Sequence, residues 1–189
     1  MKMTVGVPNY GGVKTEMMMS LIPNLFQLYN LLSYEVEYTL SCPAGCHNYK
    51  NRNKIVQESL DNGSDYVFMV DTDMVFPDDT LVKLFQDDKD IIGATYNKRS
   101  LPLTPIHTMF REVMPQRIFK INAIPTGVIL IKEKVLKTMD PPWFAVQWLD
   151  GVEFMGPDIY FCNKAVRVYG FETWLDPTID VKHIGDYKY

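Results

Sequence analysis

Only three cysteines occur in the 189 residues, an odd count that builds no disulfide framework and fits a reducing compartment. Two of them, Cys42 and Cys46, stand beside His47 in CPAGCH. A fourth ligand at a zinc spacing is absent, as is the C-x-x-C-H haem pattern, so this segment reads as an ordinary loop with two free thiols. No apolar run is long enough to span a membrane, and the opening MKMTVGVPNY reaches a Pro-Asn-Tyr turn too soon for a signal peptide. The expectation is a cytoplasmic protein with no membrane anchor. Basic charge is not in excess either: 19 Lys and Arg against 23 Asp and Glu give a net charge of −4. Nothing in that balance draws the chain to nucleic acid or an anionic surface, so a polyanionic ligand must be met locally. Repeats and low-complexity tracts are also missing, while 47% apolar and 13% aromatic residues supply one core and exclude disorder.

What is present is an alternation of apolar β-prone runs with helical patterns, βαβαβαβ through the first half, the arrangement of a parallel sheet covered on both faces. Strands are expected near Thr4 to Val7, Val36 to Leu40, Tyr66 to Val70 and Ile91 to Thr95. Helices are expected from Thr15 to Leu32, with Thr15 as cap and a kink at Pro23, and from Asn51 to Asp61. FPDDTLVKLF turns into a third, short helix with acids in its first turn. From Tyr96 to about Ile124 no period survives among the Pro, Arg and Lys residues, which reads as an active-site loop. A buried strand GVILI, a helix KEKVLKTM, a helix from Pro157 to Tyr169 and two short strands, FETWL and IDVKH, complete the chain.

One stretch stands out. VFMVDTDMVF places Asp71 and Asp73 inside an apolar run, where ionised carboxylates rarely sit unpaired. In a parallel sheet, ligands bind at the carboxyl ends of strands, and the pair falls there. If the backbone stays extended, both side chains lean the same way and face one divalent cation or the phosphates it carries. Asp also caps and turns strand ends, and D-x-D alone does not separate these readings.

Several features in order resemble the GT-A glycosyltransferases, and within them the family-2-like enzymes, along nearly the whole chain. They are the strand ending in Val7-Pro8-Asn9-Tyr10, the Arg52-Asn53 pair opening a helix, and Asp71 and Asp73 followed by MVFPDDTL. PTGVILIKEKVL with Gly127 follows, and then the terminal block GPDIYFCNKAVRVYGFETWLDPTIDVKHIG. The family often has Glu-Asp where this chain has Pro157-Asp158, and Glu153 stands four residues earlier. D-x-D after an apolar strand also resembles the first motif of the haloacid-dehalogenase phosphatases, with Asp71 as nucleophile. Here, however, the pair follows two βα units and no GDxxxD-like sequence comes downstream. A nucleotidyltransferase would carry a glycine-rich, basic N-terminal loop, of which NYGGVK is a faint echo.

The glycosyltransferase resemblance implies a single GT-A domain over 1–189, with a mostly parallel sheet, a donor half about 1–96 and an acceptor half about 97–189. It implies a metal-dependent, inverting transfer of sugar from a nucleotide-sugar donor, a UDP-sugar foremost, to an acceptor hydroxyl. The resemblance leaves the acceptor open among a glycan, a small molecule and a modified nucleic-acid base. Asp73 would ligate the metal directly and Asp71 through water or by holding the ribose, with His183 as third ligand. Mn²⁺ suits that mixed oxygen and imidazole set better than Mg²⁺. Asp158 would be the general base. Pro8, Asn9, Tyr10 and Thr72 would border the nucleotide, Arg52 would reach the base or diphosphate, and Lys98 would lie near the phosphates or on a solvated loop. Trp143, Trp148 and Tyr160 would face the acceptor or pack in the core. Compact chains of this kind resemble phage and bacterial versions, which implies a viral origin and action in the host cytoplasm. A phosphohydrolase and a silent nucleotide-sugar-binding module are the alternatives.

Overall fold

Two helices and three strands open the chain in strict alternation in the computed structural model, which describes residues 1–97, 115–149 and 153–185. They are β1 (Lys2–Gly6), α1 (Thr15–Leu31), β2 (Glu37–Ser41), α2 (Asn48–Asp61) and β3 (Tyr66–Val70). After them come β4 (Met74–Val75), α3 (Thr80–Gln86), β5 (Ile91–Ala94), β6 (Phe119–Lys120), β7 (Val128–Lys132) and α4 (Glu133–Thr138). The chain ends with β8 (Gln147–Leu149), β9 (Glu153–Met155), α5 (Pro157–Asn163), β10 (Thr173–Asp176) and β11 (Lys182–His183). The expected Pro157 to Tyr169 helix is two pieces, α5 and a π-helical turn, Lys164–Val168.

Among the described residues seven strands form one sheet in the order β2-β1-β3-β7-β5-β10-β6. Five of them, β2, β1, β3, β5 and β10, point the same way, as their parallel pairings and shared antiparallel neighbour β7 require. β7 is antiparallel to both β3 and β5, and β6 is antiparallel to β10. The sheet is therefore mostly parallel, with one reversed strand at its centre, and strands from both halves of the chain build it. In β3, Phe68 and Val70 face one core layer with α1 and α3, while Val67 and Met69 face the other with α2 and α4. This is the two-residue alternation of a strand covered on both sides. Each such side chain contributes about 1.5–3 kcal/mol by burial.

Local details depart from the sequence expectations. Lys14, not Thr15, is the N-cap of α1, and the helix runs through Pro23 unbroken. α2 starts at Asn48, a turn earlier than expected. α3 begins only at Thr80, so no acid lies in its first turn, and Asp79 makes no side-chain cap. The cap comes from a distant residue: the Leu81 N–H donates to Asn24 Oδ1 at 2.7 Å, and Asn24 Nδ2 donates to the Pro77 carbonyl at 2.8 Å. These bonds lock α3 onto α1 and, with it, the chain leaving β4. Among the described residues no helix is long and apolar enough to cross a membrane.

Candidate active site

At the carboxyl ends of β1 and β3 a cleft of about 510 Å³ is lined by Pro8, Tyr10, Gly11, Gly12, Lys14, Cys46, Asn48, Asp71, Thr72 and Asp73. Its rim is the loop after β1. Tyr10 is 67% exposed, leaving its ring face open for stacking. Asn9 is not among these lining residues; its Oδ1 accepts from the Gly12 N–H at 2.8 Å and its backbone joins Pro43, Gly45 and Asn51. Its observed work is to hold the loop.

The acid pair does not sit on extended backbone. Residues 71 to 73 turn, with the Met74 N–H approaching the Asp71 carbonyl at 3.3 Å, and the two carboxylates take different partners. Asp71 Oδ1 accepts from Arg52 Nη2 at 2.6 Å. Burial pushes the Asp71 carboxyl above its usual range, Arg52 pulls it back, and the charge of Asp158 adds a smaller push upward. Asp73 Oδ1 instead lies 3.5 Å from His183 Nε2. That approach is fixed by a small antiparallel ribbon in which Met74 of β4 pairs with His183 of β11, and the Ile184 N–H donates to the Asp73 carbonyl at 2.8 Å.

Beneath the turn is a buried network. Arg52 is 1% exposed, so the expectation that it reaches the base or diphosphate is corrected. Its helix face also carries the buried Ile55, Val56 and Ser59, which turns its guanidinium inward. There it binds Asp71, donates to the Thr126 carbonyl at 3.0 Å and lies over the Phe144 ring. Thr126 in turn holds Asp158: its hydroxyl donates to Oδ1 at 2.7 Å and its N–H to Oδ2 at 3.3 Å. The next residue, Gly127, accepts from the Asp71 N–H at 2.9 Å and donates to the Tyr96 hydroxyl at 3.1 Å. A Cβ on Gly127 would come within 2.4 Å of that hydroxyl, so only glycine fits. The Tyr96 ring also meets the His183 ring edge to face at 5.2 Å, and burial with two nearby carboxylates raises its phenol well above the ordinary value.

Asp71, Asp73, His183 and Asp158 therefore gather around one turn. Among the described residues, however, no three His, Cys, Asp or Glu side chains converge to hold a metal ion. Of the expected set Asp71, Asp73 and His183, the structure brings Asp73 and His183 within 3.5 Å and pairs Asp71 with Arg52. Thr72 is buried and its carbonyl accepts from the Lys14 N–H at 3.0 Å. Trp143 is core, with its indole N–H donating to the Leu136 carbonyl, whereas Trp148 is exposed and Tyr160 half-buried. Lys98 and its role lie outside the described residues. Thr126 and Tyr96 were not expected as site residues. The sequence marks them only by their places, one before the buried strand VILI and one after the strand IIGA.

The chain matches no protein-family model and no curated protein sequence. Solved structures do resemble it. A197 from STIV, a viral protein, is 18% identical with a TM-score of 0.63 over 98% of this chain and 87% of its own. GalNAc-T7 with UDP, GalNAc and Mn²⁺ is 10% identical with a TM-score of 0.55 over 99% of this chain. S. aureus TarS 1-349 with UDP-GlcNAc is 17% identical with a TM-score of 0.52 over 87% of it. This chain has a GT-A-like fold. It spans 44% of the GalNAc-T7 chain and 53% of that TarS chain, so it corresponds to one portion of each.

Proposed function

We propose that the protein is a metal-dependent, inverting glycosyltransferase of the family-2-like type, which moves a sugar from a UDP-sugar to an acceptor hydroxyl. The observation that carries this reading is the turn at Asp71 to Asp73. It sets one carboxylate against a buried arginine and the other against a histidine at the mouth of a single cleft, with Asp158 beside them. The fold shared with sugar-nucleotide transferases supports it.

Asp73 and His183 would hold the divalent ion, Mn²⁺ in preference to Mg²⁺ for an oxygen and nitrogen pair. Asp73 Oδ1 and His183 Nε2 lie 3.5 Å apart, which offers one carboxylate oxygen and one imidazole nitrogen side by side. Such an ion supplies positive charge where the diphosphate leaving group gathers negative charge. Asp71, oriented by Arg52, accepts a hydrogen bond from the donor ribose. Tyr10 stacks on the base, with Pro8 and Thr72 shaping the wall. Lys98 would lie near the donor phosphates, a role that rests on the family resemblance. Asp158, aimed by Thr126, takes the proton of the acceptor hydroxyl as its oxygen attacks the anomeric carbon. The bond from that carbon to the diphosphate breaks on the opposite face, which inverts the centre.

The phosphohydrolase alternative asks Asp71 to attack phosphorus through Oδ2 while Arg52 holds its Oδ1 at 2.6 Å, a pairing that lowers the nucleophilicity of the carboxylate. We also read the chain as a viral protein acting in a host cytoplasm, in keeping with its likeness to A197. The test is UDP release from a panel of UDP-sugars with Mn²⁺, using water or added glycans as acceptors. Asp158→Asn is expected to lower turnover about a hundredfold or more while UDP affinity stays within about twofold. Unchanged turnover in that variant, or a phosphorylated Asp71 trapped from phosphate esters, would contradict the assignment.

A further inference from the structure

The loop Asn9-Tyr10-Gly11-Gly12-Val13-Lys14 contributes more to the cleft than the stacking residue named above. We propose that Lys14 is a diphosphate-binding residue of the cleft, its ammonium pairing with phosphoryl oxygens of the bound nucleotide. This inference rests on the nucleotide reading of the site.

Lys14 is placed by a backbone bond, its N–H donating at 3.0 Å to the carbonyl of Thr72, the middle residue of the acid turn. The residue is thereby registered beside the acid turn and lines the same cleft as Asp71 and Asp73, where the phosphates of a nucleotide would lie. It is also the only cation among the described residues lining the cleft, where two carboxylates already stand. Arg52 cannot serve, being buried and engaged with Asp71 and Thr126. A nucleoside diphosphate brings about three further negative charges at neutral pH, and one divalent ion leaves that sum well short of balance. Lys14 makes no ion pair among the described residues, so its ammonium is available to a ligand.

The loop is built to keep that approach open. Gly11 and Gly12 have φ of +85° and +117°, and a Cβ at either would meet nothing within 4 Å. Glycine is thus required by the backbone conformation and not by crowding. The Asn9 carboxamide pins the turn by accepting from the Gly12 N–H. Lys14 and Tyr10 both line the cleft, Lys14 beside the acid turn through its backbone bond to Thr72 and Tyr10 as the aromatic residue that would take the base.

The experiment titrates UDP and uridine, each with Mn²⁺, into wild type, Lys14→Gln and Lys14→Arg. Charge-assisted hydrogen bonds to phosphate set the expected scale. Lys14→Gln should weaken UDP about ten- to a hundredfold and leave uridine unchanged, and Lys14→Arg should restore most of the loss. UDP affinity unchanged in Lys14→Gln, or UDP and uridine weakened together, overturns the role of Lys14 while leaving the nucleotide site standing. No UDP binding by wild type overturns the nucleotide reading itself, and this inference with it.

Discussion

The residues below the acid turn and those around the cleft above it are held in different ways. Below it, Arg52, Asp71, Tyr96, Thr126 and Gly127 are tied to one another by hydrogen bonds of 2.6 to 3.1 Å, and most are fully buried. Above it, Tyr10, Lys14 and Cys46 are exposed and owe their places to backbone bonds of the loops that carry them. The buried network sets where the carboxylates point, and the cleft offers groups to a ligand. Damage below should therefore appear first as lost stability, and damage above as lost affinity at unchanged stability.

The largest effect is expected at Arg52. Arg52→Met removes one partner of a buried pair and strands the Asp71 carboxylate, which should destabilise the fold by about 3 kcal/mol or more in chemical denaturation. A loss under about 1 kcal/mol would mean that Asp71 reaches water and that the network is not the anchor described. Next comes Gly127→Ala. Its Cβ would press on the Met74 methyl at 2.3 Å and on the Tyr96 hydroxyl and ring carbon at 2.4 and 2.8 Å. The methionine can move aside but the buried ring cannot, and overpacking of this kind costs about 1–3 kcal/mol. Thr126→Val is milder: it deletes the 2.7 Å bond to Asp158 and should cost about 1 kcal/mol. It should also slow turnover more than it weakens UDP, a split readable from kcat against Kd.

The smallest effect is a labelling rate, and it contrasts the two regions in one molecule. Cys46 lines the cleft and Cys42 is exposed, whereas Cys162 is buried with its thiol pushed up to about 12. Two thiols should react with a maleimide at neutral pH and the third only on unfolding, since the thiolate is the reactive form. UDP should slow one of the two fast reactions. If it slows neither, the nucleotide does not occupy this cleft.

The donor side of the fold was more legible in the sequence than the centre of the sheet. β1, β3 and α2 announce themselves because apolar runs and helical spacing are local signals, and Asp71 is conspicuous against such a background. The reversed direction of β7 is not written in VILI, since a buried strand reads the same in either orientation. The inward role of Arg52 was within reach: it lies three and four residues before Ile55 and Val56, on the apolar face of its helix. Thr126 and Tyr96 were hidden because each flanks a stretch without period, and what joins them to the site is contact across strands. The different partners of Asp71 and Asp73 depend on a turn, which Asp at a strand end allows but which the apolar run around the pair does not select over extended backbone.

The measurement that bears most directly on this account is calorimetric titration of UDP with and without Mn²⁺ into wild type and Asp73→Asn. Binding that needs both the metal and Asp73 is the predicted result, with the variant folded as well as wild type. UDP binding that ignores Mn²⁺ and survives Asp73→Asn, or no binding of any nucleoside diphosphate, would contradict the claim that this turn holds a metal–diphosphate complex.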